Sequence, residues 1–156
     1  MHLKAYMKST LKLLPIFILI FAAFLAQGIS ANAQSRATSE VVNTAVGTVE
    51  ANDVKFRTDF RAFMNASKWD GTDKEKLSNA SVDKLEVAIG KLREQFAKDP
   101  ANWWKARGDI RPLVTTGKSV DKIVRRYHLP PKIEITWRQL RDSINKLAYY
   151  YETNDI

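Results

Sequence analysis

The sequence predicts an all-α fold, an antiparallel four-helix bundle of up-down-up-down order that follows a cleaved signal peptide. Three observations carry that expectation. Apolar residues recur at steps of three and four through nearly all of the chain after residue 33, the spacing that gathers them on one helix face. No segment alternates apolar and polar residues with the period of two that a half-buried strand requires. Turn and cap signals divide the apolar pattern into four stretches joined by connections of roughly 4 to 12 residues, short enough for consecutive helices to run antiparallel.

Residues 1–33 read as the export leader. Lys4, Lys8 and Lys12 form a basic head, Leu13 to Ala26 is an apolar run of 14 residues, and Ala31-Asn32-Ala33 supplies a small-x-small cleavage signal. A spanning helix needs about 20 apolar residues. This run is shorter and carries Pro15, so cleavage is expected and no transmembrane anchor remains after processing. The expected location is the periplasm or the exterior. The chain holds no cysteine, which excludes a lipid-anchored lipoprotein and fits bacterial export better than an oxidising compartment where small domains lean on disulfides.

The mature chain would begin near Gln34 and hold 123 residues, a length for one domain that needs no covalent staple. Residues 34–51 are either a poorly ordered tether or the start of helix 1, and residues 52–156 are the bundle domain. In the first helix Phe56, Phe60 and Phe63 share a face that Val42, Ala45 and Val49 extend backwards. The stretch 41–49 is rich in Val and Thr and includes Gly47, all mediocre helix formers, and this is why its state stays open. The second helix starts at a capping box, Thr72-Asp73-Lys74-Glu75, just after the Asp70-Gly71 turn; its stripe is Leu85, Ile89, Leu92 and Phe96. The third carries Ile110, Leu113, Val114, Val120, Ile123, Val124 and Tyr127, with Asp109 expected as N-cap, Pro112 inside the first turn, and Gly117 as a weak point midway. The fourth starts at Pro130-Pro131, and Ile133, Trp137, Leu140, Ile144, Leu147 and Tyr151 step by 4, 3, 4, 3, 4 along it, a single seam facing a neighbour.

That last helix, Trp137-Arg138-Gln139-Leu140-Arg141 through Leu147-Ala148-Tyr149-Tyr150-Tyr151, resembles the ending of a group of uncharacterised bacterial exported helical proteins. They share a Trp, two residues, Leu-Arg, a spacer, then Leu-Ala and a Tyr, after a basic helix. The Trp69-Asp70-Gly71-Thr72 turn is similar to their Asp-Gly-Thr link. The resemblance covers about residues 52–151, rests on packing positions and implies no activity.

The chemistry that the chain lacks narrows its function. After cleavage His128 is the only histidine, so a bundle di-metal site with two Glu-x-x-His pairs cannot be completed. Attached haem requires the cysteines that are absent. His128 sits at a helix end, where capping or surface exposure is the expected role. Gly117-Lys118-Ser119 imitates the end of a phosphate loop, but position 112, where the upstream glycine belongs, is Pro112. No Gly-x-Ser-x-Gly elbow occurs. No catalytic residue, metal or cofactor is therefore expected, and the protein is not read as an enzyme. The enzyme alternative is a small metal-free all-helical catalyst that works with Arg, Lys and Glu, for which no motif match exists.

What remains is basic and aromatic. Removing the three leader lysines leaves 22 basic against 17 acidic residues, a net +5, and the whole excess lies in residues 100–156, with 11 basic and 6 acidic side chains. Arg111, Lys118, Lys122 and Arg125 step along the third helix away from its apolar stripe, beside Arg126, while Arg138 and Arg141 flank the stripe of the fourth. If the two helices are antiparallel neighbours, these cations form one anion-binding patch; otherwise they are a solvated face. Trp103 and Trp104 are adjacent in the connection before the third helix and cannot both face one core. They read as an end plug with one exposed ring, or as an aromatic contact for a sugar, lipid headgroup or peptide. The expected partner is an anionic envelope polymer, lipid headgroups or a protein; without a nucleic-acid fold motif, nucleic acid is not expected. The alternative function is a chaperone-like or structural envelope protein that holds apolar clients or a partner helix. Oligomeric state and ligand identity carry no signal in the sequence.

Overall fold

The structure, a computed structural model, describes residues 37–152 and residue 156; the expected leader lies outside the described residues. Four helices follow one another: α1 (Ser39–Ala66), α2 (Asp73–Lys98), α3 (Arg107–Tyr127) and α4 (Pro131–Tyr150), with a 3-10 turn (Pro100–Ala106) between α2 and α3. No strand occurs among the described residues. Residues Ala37–Ile156 form one compact unit, whose core is drawn from their own side chains.

Helix α1 begins at Ser39, where the Thr38 hydroxyl accepts the Val41 N–H at 3.3 Å. Of the two states left open for residues 34–51, residues 39–51 take the helical one, and the bundle starts before residue 52. Val42, Ala45, Val46 and Val49 are buried, so tertiary packing outweighs the weak propensity of the Val, Thr and Gly residues around them. At α2 the Thr72 hydroxyl accepts the Glu75 N–H at 3.3 Å, as a capping box requires, but the Glu75 carboxylate accepts from Gly71 rather than from Thr72, at 2.7 Å. Gly71 has φ 72°, a left-handed conformation that glycine adopts without steric penalty.

The start of α3 differs from expectation. The 3-10 turn runs directly into the helix, so Ala106 stands at the cap position and Asp109 lies inside the first turn. Pro112 is correspondingly deeper in the helix than the first turn, where it supplies no N–H to the carbonyl of Gly108. Gly117 is buried, and a Cβ there would meet the side chain of Ile156; its smallness makes room for the final residue to lie on α3. Helix α3 ends at His128 with φ 46° and ψ 62°, exposed and left-handed, a conformation that costs a non-glycine residue about 1 kcal/mol. A His128→Gly variant is expected to be more stable by about 0.5–1 kcal/mol, read from urea denaturation midpoints. Pro130 and Pro131 open α4, and the Pro130 carbonyl accepts from Ile133 at 2.8 Å.

Helix neighbours run antiparallel around a ring. Between α1 and α4, Asp59 pairs with Lys132 at 2.7 Å while Asn52 donates to the Gln139 carbonyl at 3.2 Å. Between α1 and α2, Arg61 meets Asp83 at 2.6 Å and Arg57 meets Glu86 at 2.7 Å. Helix α3 packs between α2 and α4. Phe56, Phe60, Met64, Leu85, Leu92, Ile110, Leu113, Leu140, Ile144 and Leu147 fill the centre, each worth roughly 1.5–3 kcal/mol of burial. One end of the bundle gathers the start of α1, the 3-10 turn, the start of α3 and the end of α4; the opposite end gathers the two interhelix turns at 67–72 and 128–130. No helix among the described residues is long and apolar enough to cross a membrane.

Candidate functional site

Helix α3 presents the basic stripe to solvent. Arg111, Lys118, Lys122, Arg125 and Arg126 are exposed, because the apolar positions Ile110, Leu113, Val114, Val120 and Val124 turn the other face of the same helix into the core. Arg111 and Lys118 line a common cleft of about 780 Å³ with Arg107, Gly108, Val114, Thr115 and Glu152. Arg107, absent from the expected set, stands one turn before Arg111 on the same stripe. The misplaced helix start hid it. Its Nη2 donates to the Glu152 carbonyl at 3.2 Å, which ties the start of α3 to the end of α4.

The structure separates the seven predicted cations into two kinds. Asp121, on α3 facing α4, accepts the Trp137 indole N–H at 2.9 Å, pairs with Arg125, and lies 3.6 Å from Arg141. Arg141 also stands 3.5 Å from Asp142 and is mostly buried. Arg125 and Arg141 therefore serve first to close the α3–α4 seam around Asp121. Arg111, Lys118, Lys122, Arg126 and Arg138 have no carboxylate within ion-pair distance among the described residues. The signal for the Asp121 pairing was its spacing of four from Arg125; the contact with Trp137 and Arg141 depends on the approach of two helices and had none.

Trp103 and Trp104 divide as adjacent residues must. Trp103 packs edge-on against Tyr151 with ring centroids 5.0 Å apart, and Trp104 is 54% exposed. Burial, with Asp109 nearby, pushes the Tyr151 hydroxyl up to about 12, so it stays protonated, and it has no hydrogen-bond partner among the described residues. Lys105 and Asn102 hold the Asp99 carboxylate below its usual range, with Lys105 at 2.8 Å.

At the opposite end, Lys74 Nζ lies 3.5 Å above the Trp69 ring and 3.7 Å from that of Tyr127. The two rings are 5.2 Å apart, and Phe63 meets Trp69 edge-on at 5.7 Å. Desolvation, then the nearby Lys68, lowers the Lys74 pKa. Here the chain supplies its own cation to its own aromatic faces. His128 is exposed at the helix end, and no group of three or more potential metal ligands occurs among the described residues.

The residues that carry the Trp-x-x-Leu-Arg resemblance, Trp137, Leu140, Leu147, Ala148 and Tyr151, are core positions apart from Arg141. Comparison of the chain with protein-family models, curated proteins and solved structures finds no match.

Proposed function

We propose that this is an exported, non-enzymatic bundle that binds an anionic component of the cell envelope through the outer face of α3. The observation that carries this reading is the contrast in charge pairing. On the α1–α2 face Arg57, Arg61 and Arg93 each meet a carboxylate, whereas Arg111, Lys118, Lys122 and Arg126 project from α3 without one among the described residues. A run of unneutralised cations on a rigid helix raises the local concentration of anions and is suited to a repeating negative charge. The cleft is open and mostly polar, unlike the apolar, enclosed pockets that take neutral small molecules.

The sequence of the leader region supports export, and the absence of cysteine supports a bacterial envelope. The exposed large apolar side chains Val41, Val54, Leu77, Val87, Trp104, Ile135 and Tyr149 are spread over three helices and the 3-10 turn. That spread favours anion binding over the holding of apolar clients, which needs a contiguous patch.

Titration with soluble inorganic polyphosphate at rising salt tests the reading. Affinity is expected to fall at least about a hundred-fold between 50 and 200 mM salt, and the variant carrying Arg111→Gln, Lys118→Gln, Lys122→Gln and Arg126→Gln is expected to lose most of both affinity and salt dependence. Binding that persists unchanged in salt, or that the fourfold variant retains, would refute it.

A further inference from the structure

We infer that the outer face of the 3-10 turn and α3 lies along an anionic lipid bilayer, with Trp104 in the headgroup zone and Arg111 and Lys118 on lipid phosphates. This rests on the anion-binding reading above and names its ligand. The two ends of the bundle treat their aromatic residues differently. At the far end the Trp69 and Tyr127 faces are covered by Lys74. At this end Trp104 is 54% and Tyr149 77% exposed, and no cation covers them among the described residues. Large rings with an apolar body and a polar edge suit the boundary between acyl chains and water.

The rings are held in place. Trp103 is fixed edge-on against Tyr151, so the turn that carries Trp104 is anchored to α4, and the Arg107 bond to the Glu152 carbonyl anchors the same two elements one turn further on. In a 3-10 turn residues three apart eclipse one another, which sets Trp104 in line with Arg107. Steps of four and seven then carry the line to Arg111 and Lys118 in the cleft. Trp104, Arg111 and Lys118 thus share one flank, so a bilayer lying along α3 meets the ring at its acyl boundary and the cations at its phosphates.

Among the described residues, Asp99 is held by Lys105 and Asn102, Asp109 faces Tyr151, and Glu152 is the one acidic residue on the cleft wall. A dissolved polyanion would use the cations alone and gives no role to the open rings.

Residues 34–156, checked for helix content by circular dichroism, should be sedimented with vesicles of equimolar phosphatidylglycerol and phosphatidylcholine, with pure phosphatidylcholine vesicles, and titrated separately with inorganic polyphosphate. Binding to the anionic vesicles and to polyphosphate, but not to the pure phosphatidylcholine vesicles, is expected. Trp104→Ala should weaken it about ten-fold while weakening polyphosphate binding much less, and Arg111→Gln with Lys118→Gln should weaken it about five-fold per cation. Binding to polyphosphate but not to vesicles, or vesicle binding indifferent to Trp104→Ala, overturns the bilayer inference and leaves the anion-binding reading standing. Binding to neither overturns both.

Discussion

Replacing Arg57 by alanine is expected to destabilise the bundle by about 3 kcal/mol or more, whereas Asp53→Leu is expected to be neutral or stabilising. Asp53 occupies a seam position of α1 between Val49 and Phe56 and is 3% exposed. Its Oδ2 accepts from Arg57 Nε at 2.8 Å, and its Oδ1 has no partner among the described residues. Removing Arg57 strands a buried carboxylate. Removing Asp53 leaves Arg57 still paired with Glu86 at 2.7 Å and fills the site with apolar volume. Combining Arg57→Ala with Asp53→Asn should recover most of the loss, as two neighbours that share one interaction do not add.

The same pair gives a pH signature. Desolvation raises the Asp53 pKa above the ordinary carboxylate value, against the lowering by Arg57. A carboxyl whose pKa is higher folded than unfolded favours the folded state at low pH, and this contribution is lost as pH rises from the unfolded pKa near 4 through the folded one. The Arg57→Ala variant loses the opposing influence, so its deficit should shrink measurably between pH 7 and pH 5, and Asp53→Asn should abolish that trend. Urea denaturation at the two pH values reads both. A deficit of the same size at each pH would show that Asp53 is not the stranded group.

These charges also show where sequence reasoning stops. The stripes of α2 and α4 were legible because apolar side chains at steps of three and four have only one way to leave water: Leu85, Ile89, Leu92 and Phe96, and Ile133, Trp137, Leu140, Ile144, Leu147 and Tyr151, are all buried. The first turns of α1 were not, since Thr44, Gly47 and Thr48 argue against a helix locally and only the packing of Val42, Val46 and Val49 overrules them. The α3 start was misread because Asp109 has the chemistry of a cap, and nothing in Pro100–Ala106 marked a 3-10 turn that would feed the helix from upstream. At the site, the outward set of cations was legible from helical spacing. Which of them were already committed was not: that depends on Asp121 meeting Trp137 and Arg141 across an interface between helices.

The Trp137–Asp121 contact is where fold and site meet, and it yields the second large effect. Trp137 is 2% exposed, its ring 5.3 Å from that of Phe56, so Trp137→Ala empties the middle of the α1–α4 seam and is expected to cost about 3–5 kcal/mol. Trp137→Phe keeps an aromatic ring there and removes the indole donor, leaving Asp121 to Arg125 and Arg141; about 1–2 kcal/mol is expected. Calorimetric or urea midpoints for the two variants thus separate ring packing from the hydrogen bond. Asp121→Asn is the complementary change, since an amide oxygen still accepts the indole N–H while the charge that holds Arg125 and Arg141 is gone. Arg125 is then released on the α3–α4 side while Arg141 keeps Asp142, and polyphosphate affinity at low salt should rise while stability falls. A variant that loses stability without gaining affinity would place Arg125 outside the binding face, and confine that face to Arg111, Lys118, Lys122 and Arg126.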